Sequence, residues 1–303
     1  MDLLITGAAG FVGSALTSAL RGAGHAVTAV DDLSVASPRR RPAGLQVRDV
    51  RSLAPGELDG FDTIVHLAAH KSVPRSFDPG GFEHNTAADR HVIHAFTASD
   101  ARRLVLASSC EVYGQQPGPL PESAPHAPRS PYAAGKAATE HLAAIYRNLL
   151  PPGRQIGVVR FFNTFGPDED GDAVVPAFLD AAIAGRPLTV EGDGSQARDF
   201  TYIDDTVAML ASLLAGPCLL PAVNCGSGRA VTIAALAGAV TRASGGGTVT
   251  RAPGRPNEVQ SFTADMSLFT SLYGPPPARP LEQALAVSLR DRARDWSPAG
   301  ALP

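Results

Sequence analysis

The chain has 303 residues, a length that fits one large domain or two closely joined ones. Hydrophobic residues make up 44% of it, which excludes an intrinsically disordered protein. The formal net charge of −3 provides none of the basic surface that DNA or RNA binding requires. No apolar run is long enough to cross a membrane and no basic leader precedes the first apolar run, so we expect neither a membrane span nor a signal peptide.

The cysteines indicate the compartment. There are three, Cys110, Cys218 and Cys225, and no pair has C-x-x-C spacing. An odd number without metal-ligand spacing supports neither a disulfide framework nor a zinc site. We therefore expect a protein of the reducing cytoplasm that binds no structural metal.

Apolar runs of strand length alternate with stretches of helical spacing through the first half of the chain. Strands are predicted at 3–6, 26–30, 45–50, 63–67, 103–107 and 156–162. Helices are predicted after the glycines that follow the first strand, and at roughly 82–99 and 131–150. This alternation predicts an α/β fold with a doubly wound, parallel Rossmann sheet. Beyond about residue 165, proline and glycine become dense, which favours a smaller, irregular C-terminal lobe.

Three glycines, Gly7, Gly10 and Gly13, directly follow the first predicted strand and open a helix. Glycine at these positions allows a tight turn and lets backbone N–H groups approach a pyrophosphate closely. The positive end of the helix dipole then faces the diphosphate. An ordinary turn also fits a glycine triplet, but the strand before it and the helix after it favour dinucleotide binding.

Asp31 ends the second predicted strand, 18 residues beyond Gly13. A carboxylate there accepts hydrogen bonds from the adenosine ribose hydroxyls and repels a 2′-phosphate, so NAD is favoured over NADP. Asp32 is the competing candidate for this contact. The arginines at 39–41 are the opposing observation, because they could pair with a 2′-phosphate. Asp49, after the third strand, is either an adenine contact or an ordinary solvated residue.

Tyr132 and Lys136 form a Y-x-x-x-K pattern on a predicted helix, which places both on one face. An ammonium near the phenol stabilises the phenolate and is expected to lower its pKa, so that Tyr132 can act as a general base on an alcohol. Ser109, at the end of the preceding strand, supplies a further hydroxyl. Two surface residues at helical spacing would give the same pattern, but Lys136 is one of only two lysines among 26 basic residues.

These motifs together resemble the extended short-chain dehydrogenase/reductases that act on nucleotide sugars. The resemblance covers essentially the whole chain, including the run Arg160–Asn163 and the later motifs at 190–194, 198–203 and 224–228. It implies a NAD-binding Rossmann domain of residues 1–165, to which 199–226 return, and a nucleotide-sugar-binding lobe of 166–198 and 227–303. It also implies a homodimer that forms through the helices near 82–99 and 131–150.

The resemblance assigns further site residues. The implied cofactor contacts are Gly7, Gly10, Phe11, Val12, Gly13, Asp31, Asp32, Asp49, Val50, Leu67, Ala68, Ala69, Lys71, Tyr132 and Lys136. Asn163 would contact the substrate diphosphate, Arg198 and Arg255 would pair with its oxygens, and Glu258 would bind the uridine ribose. Lys71, Ser72 and Val175 complete the implied substrate site. A loop salt bridge is the alternative role for the arginines and Glu258, and a solvated loop residue is the alternative for Lys71.

The residues after Ser109 decide the chemistry within this family. All members first oxidise the sugar at C4, which acidifies the C5–H. Members that are 4,6-dehydratases carry Asp-Glu here, whereas this chain carries Cys110-Glu111. Glu111 would take the C5 proton, and Cys110 or an unidentified donor would assist loss of the C6 hydroxyl. The alternatives are a buried structural carboxylate at Glu111 and a small packing residue at Cys110.

Four runs, at 70–77, 110–115, 129–134 and 255–258, resemble the UDP-N-acetylglucosamine 5,6-dehydratases of tunicamycin biosynthesis. The implied product is UDP-6-deoxy-GlcNAc-5,6-ene, which would place the enzyme in nucleoside-antibiotic biosynthesis. Gly135 departs from the serine that is usual at its position. The alternatives are a UDP-sugar 4-epimerase, a 4,6-dehydratase, a decarboxylase of similar sequence, or a NAD-binding regulatory protein without catalysis.

Overall fold

A computed structural model describes residues 1–35, 40–170, 173–254 and 258–295. Its strands are β1 Asp2–Thr6, β2 Ala26–Asp31, β3 Gln46–Val47, β4 Thr63–His66, β5 Arg103–Ser109, β6 Gln155–Phe161, β7 Asn163–Phe165, β8 Leu188–Glu191, β9 Ala197–Tyr202, β10 Val223–Cys225, β11 Ala230–Thr232 and β12 Val249–Ala252. Its α-helices are α1 Phe11–Gly22, α2 Gly81–Thr97, α3 Pro131–Arg147, α4 Val174–Ile183, α5 Ile203–Ala215, α6 Ile233–Ala243, α7 Ser267–Tyr273 and α8 Leu281–Asp295.

Seven parallel strands form the central sheet, in the order β3-β2-β1-β4-β5-β6-β10. The strand order reverses beside β1, and in such sheets a ligand cleft opens at the carboxyl ends of the strands at that point. The predicted α/β fold with a doubly wound parallel sheet is confirmed.

Helices cover both faces of this sheet, which explains why its strands are apolar on both sides. Leu3 and Ile5 of β1 lie in one buried cluster with residues of α1 and α5. Leu4 points to the opposite face and lies in a second cluster with residues of α2 and α3. The two helices α2 and α3 pack against each other over β4, β5 and β6.

The third predicted strand is shorter than expected. β3 covers only Gln46–Val47, and the chain then enters a 3₁₀ turn at Val50–Ser52. The carboxylate of Asp49 caps this turn by accepting a hydrogen bond from Arg51 N at 2.8 Å. A side-chain oxygen that bonds the backbone two residues ahead favours a turn over a strand.

The C-terminal part is more regular than the proline and glycine content suggested. The helices α4, α5, α6 and α8 contain 10, 13, 11 and 15 residues. Two small sheets, β11-β9-β7 and β12-β8, lie outside the central sheet, whereas β10 joins it beside β6. The division of the chain at 165, 199 and 227 stays a prediction.

The glycine turn after β1 brings three segments into contact. Gly7 adopts a positive φ of 70°, and a Cβ there would lie 2.6 Å from the backbone nitrogen of Ala68. A Cβ at Gly13 would lie 2.0 Å from the carbonyl oxygen of Gly7. The first turn of α1 therefore packs directly on the loop, and only glycine fits.

We expect Gly13→Ala to destabilise the protein by roughly 2–3 kcal/mol or more, because the added methyl group meets backbone that cannot move aside. Gly22→Ala, at the end of the same helix, is the matched control. Its Cβ meets nothing within 4 Å, so its effect should stay within roughly 1 kcal/mol of the parent. Urea unfolding measures both, and equal effects would contradict the packing argument.

Candidate active site

A cleft beside β1 is open to solvent. Nine of the residues predicted to contact the cofactor line it: Gly7, Gly10, Asp31, Asp32, Asp49, Val50, Leu67, Ala68 and Ala69. They come from the loops that follow β1, β2, β3 and β4. Residues far apart in sequence therefore meet at the carboxyl edge of the sheet, where the strand order reverses.

The N-terminus of α1 suits a diphosphate. Gly10 stands immediately before the helix and makes no side-chain capping hydrogen bond, so the first amides of the helix keep their N–H groups available. Phe11 and Val12 are half-buried at this end of the helix. A glycine turn, uncapped amides and an aspartate at the end of β2 together fit a NAD molecule.

Asp31 is fixed at the edge of the cleft. Its carboxylate accepts hydrogen bonds from Ala9 N at 2.9 Å and from Leu33 N at 2.7 Å. Arg40 is buried and already committed, because its guanidinium donates to the carbonyls of Ala9 and Asp168 and to the carboxylate of Asp170. It is therefore not free to pair with a 2′-phosphate. Arg39 lies outside the described residues.

Sequence reasoning missed the far wall of the cleft. His70 stacks on His84 with ring centroids 3.8 Å apart, and burial lowers the pKa of His70. Asn85 fixes the His70 backbone by accepting from its N at 2.8 Å and donating to its O at 2.9 Å. Because His84 and Asn85 stand on α2, only the packing of that helix against the β4 loop reveals them.

The end of β5 and the start of α3 meet beside the cleft. Ser109 ends β5, and its hydroxyl accepts from Glu111 N at 3.2 Å, which begins a 3₁₀ turn at Cys110–Tyr113. Ser130 caps α3 by accepting from Ala133 N at 3.1 Å. Pro131 follows as the first residue of the helix, a position that needs no backbone N–H.

This arrangement brings Tyr132 to Ser109, close enough for the serine hydroxyl to act on the phenol. Burial raises the pKa of Tyr132, and Glu111, Cys110 and Asp89 raise it further, while the Ser109 hydroxyl lowers it. The expectation of a lowered phenol pKa is therefore wrong for this structure, because the cost of desolvating the phenolate dominates. The structure does bring together the predicted tyrosine, serine, cysteine and glutamate.

Lys136 is buried one turn further along α3, and its ammonium pairs with a carboxylate that was not predicted. Its Nζ lies 3.2 Å from Oδ2 of Asp89 on α2. Asp89 also contacts His66 Nε2 at 3.0 Å and accepts from Thr139 Oγ1 at 2.6 Å. No local sequence signal links these residues, because they stand on three different elements.

Burial shifts the protonation of both Cys110 and Glu111. Burial and the neighbouring Glu111 hold the pKa of the Cys110 thiol well above its usual range, so the thiol is neutral and carries a proton. Burial also raises the pKa of Glu111, an effect that Arg198 opposes and Glu258 adds to. A carboxylate with a raised pKa is a stronger proton acceptor.

The predicted substrate contacts are only partly assembled. Arg198 pairs with Glu258 at 3.0 Å and lies over the ring of Phe262. Asn163 begins β7 and is exposed, whereas Val175 is buried in the core on α4. The hydroxyl of Ser72 accepts from Arg75 N at 3.4 Å. Arg255 lies outside the described residues.

Lys71, the second lysine, also faces a buried carboxylate. Its Nζ lies 3.7 Å from Oε1 of Glu169 and 6.0 Å from the centre of the Phe11 ring at the start of α1. Oε2 of Glu169 is buried without a hydrogen-bond partner, and burial raises the pKa of this carboxyl to about 7. The chain thus carries both of its lysines beside the cleft, each paired with a carboxylate.

Gly135 is explained by the packing of α2 on α3. A Cβ at this position would lie 3.2 Å from Cγ2 of Thr86 and 3.6 Å from Cδ2 of Phe82. The glycine therefore lets α2 approach the helix that carries Tyr132 and Lys136.

The geometry agrees with comparisons with known proteins. The NAD dependent epimerase/dehydratase family matches residues 3–226. The chain belongs to this family. It is therefore an enzyme of the NAD-dependent nucleotide-sugar dehydratase and epimerase group, and the prediction of NAD as cofactor is confirmed.

Relatives carry different activities. A solved structure of an NAD-dependent NDP-hexosamine 5,6-dehydratase, TunA, involved in tunicamycin biosynthesis, is 38% identical, with a TM-score of 0.90 over 96% of this chain and 97% of its own. A UDP-glucose 4-epimerase of Mycolicibacterium smegmatis is 37% identical over 68% of this chain and 71% of its own. A dTDP-glucose 4,6-dehydratase of Streptomyces griseus is 30% identical over 99% of this chain and 98% of its own.

Two further expectations concern absences. Within the described ranges, no group of three or more His, Cys, Asp or Glu side chains could hold a metal ion. Among the helices the structure describes, none is both long and apolar enough to cross a membrane. The three cysteines are all free.

The raised pKa of Glu169 has a consequence for stability. Since the folded state binds a proton more tightly than the unfolded state, the free energy of unfolding should fall as the pH rises from about 4.5 to about 7. The loss should be about 3 kcal/mol. Glu169→Gln should flatten this part of the profile, as urea unfolding at several pH values would show. Glu83→Gln, which removes an exposed carboxyl, is the control and should leave the slope unchanged.

Proposed function

We propose that the chain is a 5,6-dehydratase that converts UDP-GlcNAc to UDP-6-deoxy-GlcNAc-5,6-ene. The observation that carries the proposal is the placement of Cys110 and Glu111 in the turn that begins at Ser109 and packs against α3, the helix that carries Tyr132. The similarity to the NDP-hexosamine 5,6-dehydratase supports it over 96% of the chain. The role of that protein in tunicamycin biosynthesis supports a place for this chain in the making of a nucleoside antibiotic.

The chain supplies a base for the first step. Tyr132, as the phenolate, accepts the proton from O4 of the sugar, and the neighbouring Ser109 hydroxyl lowers the pKa of the phenol. Lys136 stands one helical turn away, where its charge stabilises the phenolate. Bound NAD would supply a hydride acceptor at C4 and the return of that hydride, so that no external oxidant is consumed. Without that return, the enzyme would stop after one turnover.

The second step uses the pair after Ser109. Once C4 is a ketone, Glu111 removes the acidified proton from C5, and the electron pair forms the C5–C6 double bond as the C6 hydroxyl leaves. The Cys110 thiol donates its proton to that hydroxyl, so that water departs, and Glu111 passes its proton back to the thiolate. Tyr132 finally returns its proton to O4. The balance is the loss of one water from the sugar.

Two other outcomes use the same first step. A 4-epimerase would return the hydride to the opposite face of C4, and a UDP-glucose 4-epimerase is among the relatives. A 4,6-dehydratase would deliver the hydride to C6, as the dTDP-glucose 4,6-dehydratase relative suggests. The presence of Glu111 favours dehydration over epimerisation, since epimerisation needs no base at C5.

Assembly and location stay predictions. We propose a homodimer formed by α2 and α3, which expose Phe82 and Ile145 respectively. Large apolar side chains exposed on both helices suit burial against a second copy of the chain. We also propose a cytoplasmic location, because all three cysteines are free.

Purified protein incubated with UDP-GlcNAc and NAD should give a product lighter by one water. NMR should show the protons of an exocyclic alkene at C6. A product of unchanged mass identified as UDP-GalNAc would instead establish the epimerase, and a C6 methyl group beside a 4-ketone would establish the 4,6-dehydratase. Tyr132→Phe, which keeps the ring but removes the base, should bind NAD and form no product.

Glu111→Gln should separate the two steps. We expect bound NAD still to be reduced on addition of UDP-GlcNAc, while exchange of the C5 proton with deuterium from the solvent falls at least ~100-fold, the usual contribution of a general base. NMR measures the exchange, and absorbance of the reduced nicotinamide measures the oxidation. Tyr132→Phe is the matched control and should lose both signals. Undiminished exchange in Glu111→Gln would mean that another group is the base.

A further inference from the structure

The Lys136–Asp89 pair is almost fully buried beside the proposed site. The two side chains are 3% and 1% exposed, and their charged atoms lie 3.2 Å apart. Taking an ammonium and a carboxylate out of water costs several kcal/mol for each ion, which only close pairing and further hydrogen bonds offset. Such a pair is therefore not a simple stabilising contact and calls for an explanation in function.

Asp89 is itself held in place from two other elements. His66 at the end of β4 contacts it at 3.0 Å, and Thr139 of α3 donates to it at 2.6 Å. His66 in turn contacts the hydroxyl of Thr6, the last residue of β1, at 2.6 Å. Together with Lys136, these residues form a continuous buried chain from the strand before the glycine turn to the helix that carries Tyr132.

A lysine side chain is a flexible four-carbon stem that ends in a compact charge, so burial alone does not fix where the ammonium lies. Asp89 provides the one carboxylate within pairing distance of Nζ among the described residues. Since Asp89 is locked by His66 and Thr139, the position of the ammonium is locked as well. Tyr132 stands one turn earlier on the same face of α3.

We propose that Asp89 is the positioning residue of the oxidation step, which holds the Lys136 ammonium charged and fixed beside the phenol of Tyr132. The proposal rests on the proposed role of Tyr132 as the base at O4. Asp89 acts through Lys136 and does not itself touch the sugar.

Asp89 also sets the electrostatic environment of the base. The groups that face Tyr132 are Ser109, Cys110 and Glu111 from the end of β5, and Asp89 from α2. Asp89 raises the pKa of Tyr132, and the titratable groups that face Asp89 are Lys136 and His66. Removal of this carboxylate thus changes the charge balance at both residues of the Y-x-x-x-K pair.

The test is the pH dependence of the reduction of bound NAD by UDP-GlcNAc in Asp89→Asn. Loss of the Asp89 carboxylate makes the Tyr132 phenolate easier to form, so the acidic limb of the pH–rate profile moves to lower pH. It also leaves the buried ammonium without a counter-ion, so Lys136 loses its proton more easily and the alkaline limb moves the same way. Both limbs should move down by about one pH unit or more.

Asp205→Asn is the matched control. Asp205 is also buried, but it stands on α5 and accepts from Arg279 N at 2.7 Å. Its substitution is expected to lower stability and to leave both limbs in place. If Asp89→Asn likewise only lowers stability, with both limbs unmoved, Asp89 is merely structural and the proposal is overturned.

A second measurement does not depend on activity. In a double-mutant cycle, thermal unfolding is followed in Asp89→Asn, Lys136→Met and the double variant, each without substrate. Because each single variant leaves one buried charge unpaired, we expect the double variant to unfold at a higher temperature than the sum of the two single losses predicts. Strictly additive losses would show that the two charges do not act on each other, and would also overturn the proposal. Failure of the substrate assay with intact coupling would count against the proposed function only.

Discussion

A positive charge on Lys136, enclosed between two helices and the sheet, is the constraint around which the proposed site is built. The charge is useful beside a phenol, yet burial makes it expensive unless a carboxylate lies against it. The chain meets this requirement with Asp89 of α2. This helix must therefore pack closely against α3, the helix that carries Tyr132 and Lys136. Gly135 eases that approach, because a Cβ there would lie 3.2 Å from the Cγ2 of Thr86.

A second buried ion pair ties α3 to the central sheet. Glu140 pairs with Arg160 of β6 at 2.6 Å and also accepts a hydrogen bond from the hydroxyl of Ser108 on β5. The guanidinium of Arg160 reaches on to the hydroxyl of Tyr113, which stands in the turn after Glu111. The helix that carries Tyr132 is thus tied to the strands and to the turn that carries Cys110 and Glu111. Preorganised groups of this kind need little rearrangement during reaction.

Paired charges also hold the loops on the cofactor side of the cleft. Lys71 faces Glu169, and Arg40 holds the neighbouring loop through Asp168 and Asp170. Both contacts join the loops of the Rossmann sheet to the segment after β7. An enzyme that must return the hydride it takes benefits from a cofactor that stays bound, and a loop tied down on both sides of the glycine turn favours retention.

The sequence by itself determined the class of fold, the dinucleotide cleft and the main chemical groups. Strand periodicity, the glycine triplet, Asp31 and the Tyr132–Lys136 spacing are local patterns, and local backbone geometry follows from them directly. Nine of the predicted cofactor contacts line one cleft for this reason. The third strand is shorter than predicted, and this too has a local cause, the capping of a turn by Asp49.

What only the tertiary structure decided is the electrostatic setting of those groups. Asp89, His66 and Glu169 gave no signal in the sequence, since each acts on a residue that lies on another element. The raised pKa of Tyr132 could not be predicted either, because desolvation depends on what the whole fold packs around the phenol. Spacing along the chain fixes which groups share a helix face, whereas burial and charge pairing depend on contacts between segments far apart in sequence.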